Sequence, residues 1–145
     1  MAYSADAKHQ PPTGAHILVT MESYRRKPAV EDVFAPMRRE IEACRSYTEP
    51  GADTVDGRSH FRLSVRDPGS VGHPAFGFGL VRTDRVTQTL SGVTTAHAVT
   101  VVAGHHVVSV AVIYSHIGEP PERRMAALDG IADGVLDTVT RQVGR

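Results

Sequence analysis

The stretch from Thr94 to Ser115 constrains the fold more than any other. Thr94–Val102 and His106–Ser115 are both rich in valine and threonine, and Gly104 sits between them. Two β-prone runs around a glycine predict a hairpin, and a two-residue turn at Gly104-His105 fixes its register. Val101 then faces Val108, Val99 faces Val110, His97 faces Val112 and Thr95 faces Tyr114. On the other side Val102 meets Val107, Thr100 meets Ser109, Ala98 meets Ala111 and Ala96 meets Ile113. The first face is strongly apolar and must be covered; the second is smaller and more polar. A one-residue slip would blur that separation.

The rest of the chain supplies partners. In residues 15–24, Ile17, Val19 and Met21 alternate with Leu18, Thr20 and Glu22, which predicts a strand with the first set inward. Residues 29–45 place Val30, Val33/Phe34, Met37, Ile41 and Cys44 at spacings of three and four, an apolar helical stripe that Pro36 should kink. Residues 46–58 read as a polar loop. Strands follow at 59–66, where Phe61, Leu63 and Val65 alternate with His60, Arg62 and Ser64, and at 75–82. Between them, Asp67-Pro68-Gly69-Ser70 has turn chemistry. In the second of these strands Gly77 and Gly79 leave one face bare, which lets backbone or a ligand approach. Gly118–Pro121 breaks the last strand, and residues 121–143 form a helix whose stripe is Met125, Leu128, Ile131/Ala132, Val135, Val139 and Val143. Gly130 and Gly134 weaken that helix unless close approach to the sheet favours them. The order β-α-β-β-β-β-α predicts an α+β fold: an antiparallel sheet of about five strands with two helices packed on one face. Residues 1–14 read as a disordered leader, and residues 15–145 as one domain.

Composition then removes whole classes of function. With 145 residues and formal net charge zero, the chain is too short for two typical domains and lacks the basic excess of a dedicated nucleic-acid binder. One cysteine makes neither an internal disulfide nor a cysteine zinc site. No apolar run is long enough to span a bilayer, and the N-terminus lacks the apolar stretch of a signal peptide.

Three segments carry a resemblance. They are Glu42-Ala43-Cys44-Arg45-Ser46-Tyr47-Thr48, the run Gly92 to Val102, and the run Gly104 to Val112 followed by a C-terminal helix. In order and spacing they resemble the PknH-like extracytoplasmic sensor domain of mycobacterial receptor kinases and related actinobacterial lipoproteins, over residues 16–143. The resemblance implies an α+β domain with a groove over a curved antiparallel sheet, binding an unidentified ligand at the cell envelope. Two departures stand out: relatives pair the helix-end cysteine with a second one, whereas Cys44 has no partner, and they follow a signal peptide or membrane helix. The setting is therefore extracytoplasmic by resemblance, or cytoplasmic if the chain is a complete native product.

Few residues suggest chemistry. The eight histidines include no HExxH motif and no pair at helical metal-binding spacing, so no metal or cofactor is expected. No GxSxG, P-loop or GxGxxG cradle occurs. Cys44 lies on an apolar stripe, as a buried inert thiol does. His97, among valines, needs a hydrogen-bond partner, and Tyr114 is its diagonal neighbour; the pair is either a satisfied core contact or the polar end of a ligand groove. His60 and Arg62 project opposite Phe61 and Leu63. With Arg62 beside Thr100 and Ser109 they are either a solvated face or an anion-holding pair. The leading expectation is a non-enzymatic ligand- or partner-sensing domain binding a small molecule or envelope component through His60, Arg62, His97 and Tyr114. Dimerisation through sheet edges or the glycine-marked helix is the alternative, and a histidine-dependent enzyme ranks below both.

Overall fold

The computed structural model describes residues 2–3, 16–68, 71–117 and 122–143. Its elements in chain order are β1 (Ala2–Tyr3), β2 (His16–Ser23), α1 (Val30–Ala43), β3 (Ser46–Pro50), β4 (Arg58–Arg66), β5 (Ala75–Arg85), β6 (Ser91–Ala103), β7 (His106–Ile117) and α2 (Glu122–Val143). All strands join one antiparallel sheet in the order β1-β2-β7-β6-β5-β4-β3. The fold is thus α+β, with six main strands instead of about five. The additional one is β3, from the segment expected to be a polar loop; all five of its residues are exposed. No apolar alternation marks it, because β4 holds it through Tyr47–Phe61 and its neighbouring pairs. Of the expected leader, residues 2–3 form β1 and the remainder lies outside the described residues. The Gly118–Pro121 break and the Gly69-Ser70 half of the turn after β4 also lie outside them.

The β6–β7 hairpin has the expected register, Val101 with Val108 through Thr95 with Tyr114, and Gly104 takes φ 60 in its turn. The pleat divides the sheet into two faces. Val99, Val101, Val108, Val110, Val112 and Tyr114 share one with Ile17 and Val19 of β2, and α2 packs there. Val102 and Val107 share the other with Phe76, Phe78 and Leu63, and α1 packs there through Phe34 and Ile41. The helices therefore cover opposite faces, which corrects the expectation that both lie on one. The cause is in the hairpin: beside the turn, both of its faces are apolar, and each requires its own cover.

α1 runs unbroken through Pro36, which is exposed. Glu31 and Asp32 occupy its first turn, where the helix dipole favours negative charge, and Arg38 pairs with Glu31 at 3.2 Å. Cys44 forms the C-cap, its N–H bonded to Glu40 O. Its side chain is exposed, not buried as the stripe suggested. On α2, Leu136 is fully buried between half-buried Val135 and Val139, whereas Ile131 is 46% exposed. The inward stripe is thus rotated toward Leu136. The side chains of Met125, Leu128, Ala132 and Val143 lie outside the described set.

Gly130 and Gly134 do not approach the sheet. Both are exposed, and a Cβ at either would meet nothing within 4 Å. Without a tight contact to favour glycine, Gly130→Ala and Gly134→Ala should each stabilise the protein by about 0.5–1 kcal/mol. Chemical denaturation of the two single variants and the double variant checks this, with near-additive gains expected.

Candidate functional site

α1 covers only the turn end of its face. At the opposite end, near the start of β6, a recess of about 610 Å³ opens. Its floor comes from alternate residues of three adjacent strands. Arg82 pairs with Thr94 and Thr94 with Ser115, while Asp84 pairs with Gly92. Ala52, Asp53 and Thr54 of the β3–β4 loop, together with Val86 and Val93, complete the lining. The loop is tied in place by backbone bonds: Gly51 N–H to Gly57 O at 3.0 Å, and Val55 N–H to Arg85 O at 2.7 Å.

The polar groups on this floor are preorganised. Arg82 Nε lies 2.9 Å from Asp84 Oδ2, and Arg82 Nη2 donates to Ser59 Oγ at 3.2 Å. Its guanidinium also lies over the Phe61 ring, 5.8 Å from the centroid, and Phe61 stacks on Tyr47 at 4.7 Å. Thr94 Oγ1 and Ser115 Oγ share a hydrogen bond of 2.9 Å. Among the described residues the recess presents one guanidinium, two carboxylates (Asp53, Asp84) and three hydroxyls, with no histidine or cysteine in its lining. Such a mixture can donate to and accept from one uncharged polar molecule.

A second recess of about 510 Å³ lies by the N-terminus of α1, between Glu22, Tyr24, Asp32, Val33 and Met37 and the sheet residues Thr100, Val107 and Ser109. Tyr24 OH donates to Glu22 Oε2 at 2.7 Å, and that bond raises the phenol pKa because ionisation would forfeit it. Thr100 and Ser109 are bonded to each other at 2.8 Å.

The four sequence-designated residues all lie on the α2 face, but not in one place. His97 and Tyr114 are buried, at 5% and 6% exposure. His97 Nδ1 is 2.6 Å from Arg66 Nη1. A guanidinium only donates, so Nδ1 accepts from Arg66. Asp67 and Asp133 also border this cluster. The glycines of β5 make it possible: a Cβ at Gly79 would come within 3.1 Å of Arg66 Cδ. The close approach anticipated there is made by the chain itself.

His60 and Arg62 are exposed on the flank beside α2. His60 Nε2 lies 2.9 Å from Asp56 Oδ2, and this bond lowers the Asp56 pKa by stabilising its carboxylate. Arg62 does not neighbour Thr100 and Ser109. It aligns with Val81, Thr95 and Tyr114, while Thr100 and Ser109 align with Phe76 on the opposite face. The recess residues Arg82, Thr94 and Ser115 had only a weak signal in the sequence, a polar residue at each of three adjacent strand ends. Among the described residues no group of three or more His, Cys, Asp or Glu side chains is arranged to hold a metal, and no helix is long and apolar enough to cross a membrane. Comparison with protein-family models, curated proteins and solved structures finds no match for the chain.

Proposed function

We propose that the chain is a non-enzymatic ligand-binding domain that takes a small, uncharged, polyhydroxylated or zwitterionic molecule into the recess at the open end of the α1 face. One observation carries this reading. The recess has the size of a small-molecule site, about 610 Å³, and its donors and acceptors are held in place before any ligand arrives. Orientation is the role of the Arg82–Asp84 pair, with the Thr94 and Ser115 hydroxyls completing a polar floor. The resemblance to actinobacterial envelope sensor domains favours the same reading and, with it, an extracytoplasmic setting.

Gly92 provides the test. A Cβ there meets only Val86 Cγ2 at 3.6 Å and Asp84 O at 3.9 Å, ordinary contacts, so the first carbon of a side chain fits at the lining of the recess. The wild type is screened by ligand-observed NMR against monosaccharides, polyols and free amino acids. Gly92→Val should weaken any hit by about tenfold or more, equivalent to about 1.4 kcal/mol, without lowering Tm. Arg62→Ala, on the opposite face, should leave binding unchanged. An empty screen, or a hit that Gly92→Val does not weaken, would remove the proposal.

A further inference from the structure

Zero net charge conceals a segregated surface. On β4 the residues facing the α2 side are Arg58, His60, Arg62, Ser64 and Arg66, alternating with Ser59, Phe61, Leu63 and Val65 on the other side. Arg85 adds to them, because Ser59 pairs with Asp84 and the next step places Arg85 beside Arg58. Arg58, Arg62 and Arg85 are exposed. Among the described residues none of the three has a carboxylate within ion-pair distance. Asp84 is paired with Arg82 on the α1 face, and the Asp56 carboxylate, which lies on this flank, is taken up by His60 and the Arg58 backbone N–H. Like charges on adjacent strands repel each other, a cost that an anion would relieve.

We propose that this flank binds a linear phosphate polymer lacking nucleobases. Three features of the flank select that occupant. First, the arginines stand in a row on rigid strands: Arg58 and Arg62 lie about 13 Å apart at strand rise, with Arg85 beside Arg58. An extended chain of anions can follow that row, and guanidinium forks match phosphate oxygens bidentately. Second, both edges of β4 are already hydrogen-bonded, to β3 and to β5. An acidic peptide lying over it would therefore gain no main-chain pairing, the usual source of affinity for strand-like peptides. Third, the described residues of β3, β4 and β5 present no phenylalanine, tyrosine or tryptophan on this side; Tyr47, Phe61, Phe76 and Phe78 all belong to the α1 face. Single-stranded nucleic acids depend on such rings for stacking.

The test is a titration with inorganic polyphosphate at several salt concentrations. Three phosphate contacts predict that log K falls against log salt with a slope of about −2, at about 0.7 per contact for a single-stranded polyanion. Each of Arg58→Gln, Arg62→Gln and Arg85→Gln should reduce that slope by about 0.7. The triple variant should lose binding while its circular dichroism and Tm stay at wild-type values or rise. Oligothymidylate and poly-glutamate of matched charge should bind more weakly than polyphosphate. A wild-type slope near zero, polyphosphate binding that survives the triple substitution, or equal binding of either comparison polymer would overturn the proposal. The wild-type salt slope decides the matter even if the triple variant fails to fold.

Discussion

Replacing Leu136 by alanine should destabilise the protein by about 2–5 kcal/mol, the largest effect expected of a truncation among the described side chains of α2. Leu136 is fully buried among Val99, Val101, Val108, Val110 and Val112, on the face where valines from two central strands meet the helix. Valine is stiff and short, so these side chains cannot reorganise to fill the space that a lost isobutyl group leaves. Both the transfer of apolar surface to water and the residual cavity therefore contribute. The fall in Tm should be roughly 10 °C for a chain of this size. Ile131→Ala is the matched control: Ile131 is 46% exposed, and its truncation should change stability by about 0.5 kcal/mol or less. Urea denaturation of both variants distinguishes the two possible faces of α2. If Ile131→Ala proved the more damaging, the helix would dock through the stripe that periodicity suggested, and the placement of Leu136 would be wrong.

That contrast shows where local pattern stops being informative. In the hairpin, side-chain alternation and one glycine act together, and every predicted pair from Val101–Val108 to Thr95–Tyr114 is formed. Helical periodicity gave α2 an apolar stripe but not its centre, because Ile131, Val135, Leu136 and Val139 span an arc wider than one contact line. The choice among them is made by the valine ridge below. Nor could periodicity assign α1 and α2 to faces. Val102 and Val107 require a cover as much as Val101 and Val108 do, and nothing within either helix says which pair it meets. β3 was invisible for a related reason: Ser46–Pro50 has no buried residue of its own, and only its pairing with β4 makes it a strand.

The recess was hidden by distance along the chain. Its floor joins residues more than thirty positions apart, Arg82 and Ser115, and its wall depends on Val55 N–H reaching Arg85 O. Charge was hidden by averaging. Sixteen basic and sixteen acidic residues cancel in the sum, but a pleat sorts alternate residues to opposite sides. Arg58 and Arg62 therefore face one way while Asp84 and Arg82 pair on the other. His97 was correctly singled out as a buried imidazole in need of a partner. One partner is Arg66, thirty-one residues earlier: Gly79 leaves room for its side chain over β5, and Gly77 lets the backbone of Arg66 and Pro68 come close.

Those glycines make the second prediction, Gly77→Ala. A Cβ at Gly77 would stand 2.9 Å from Arg66 O and 3.3 Å from Pro68 Cα and N. All three are backbone atoms, so relief requires the chain leaving β4 to lift off the sheet. Overpacking of this kind costs about 1–3 kcal/mol. Gly79→Ala should cost less, since the Cβ there meets the flexible Arg66 side chain at 3.1 Å for Cδ and Ser64 Oγ at 3.3 Å. It should nonetheless push the guanidinium away from His97, and a buried imidazole deprived of its donor loses a charge-assisted bond. The two variants thus separate backbone strain from loss of the polar contact. Gly77→Ala should reduce the urea midpoint most, whereas Gly79→Ala should shift the His97 ring nitrogen resonances most. The sign opposes that at Gly130 and Gly134, where the same substitution should stabilise: a methyl group there meets open space instead of a carbonyl. If Gly77→Ala were neutral, the segment from Arg66 to Pro68 would not lie over β5. The route by which Arg66 reaches His97 would then need another explanation.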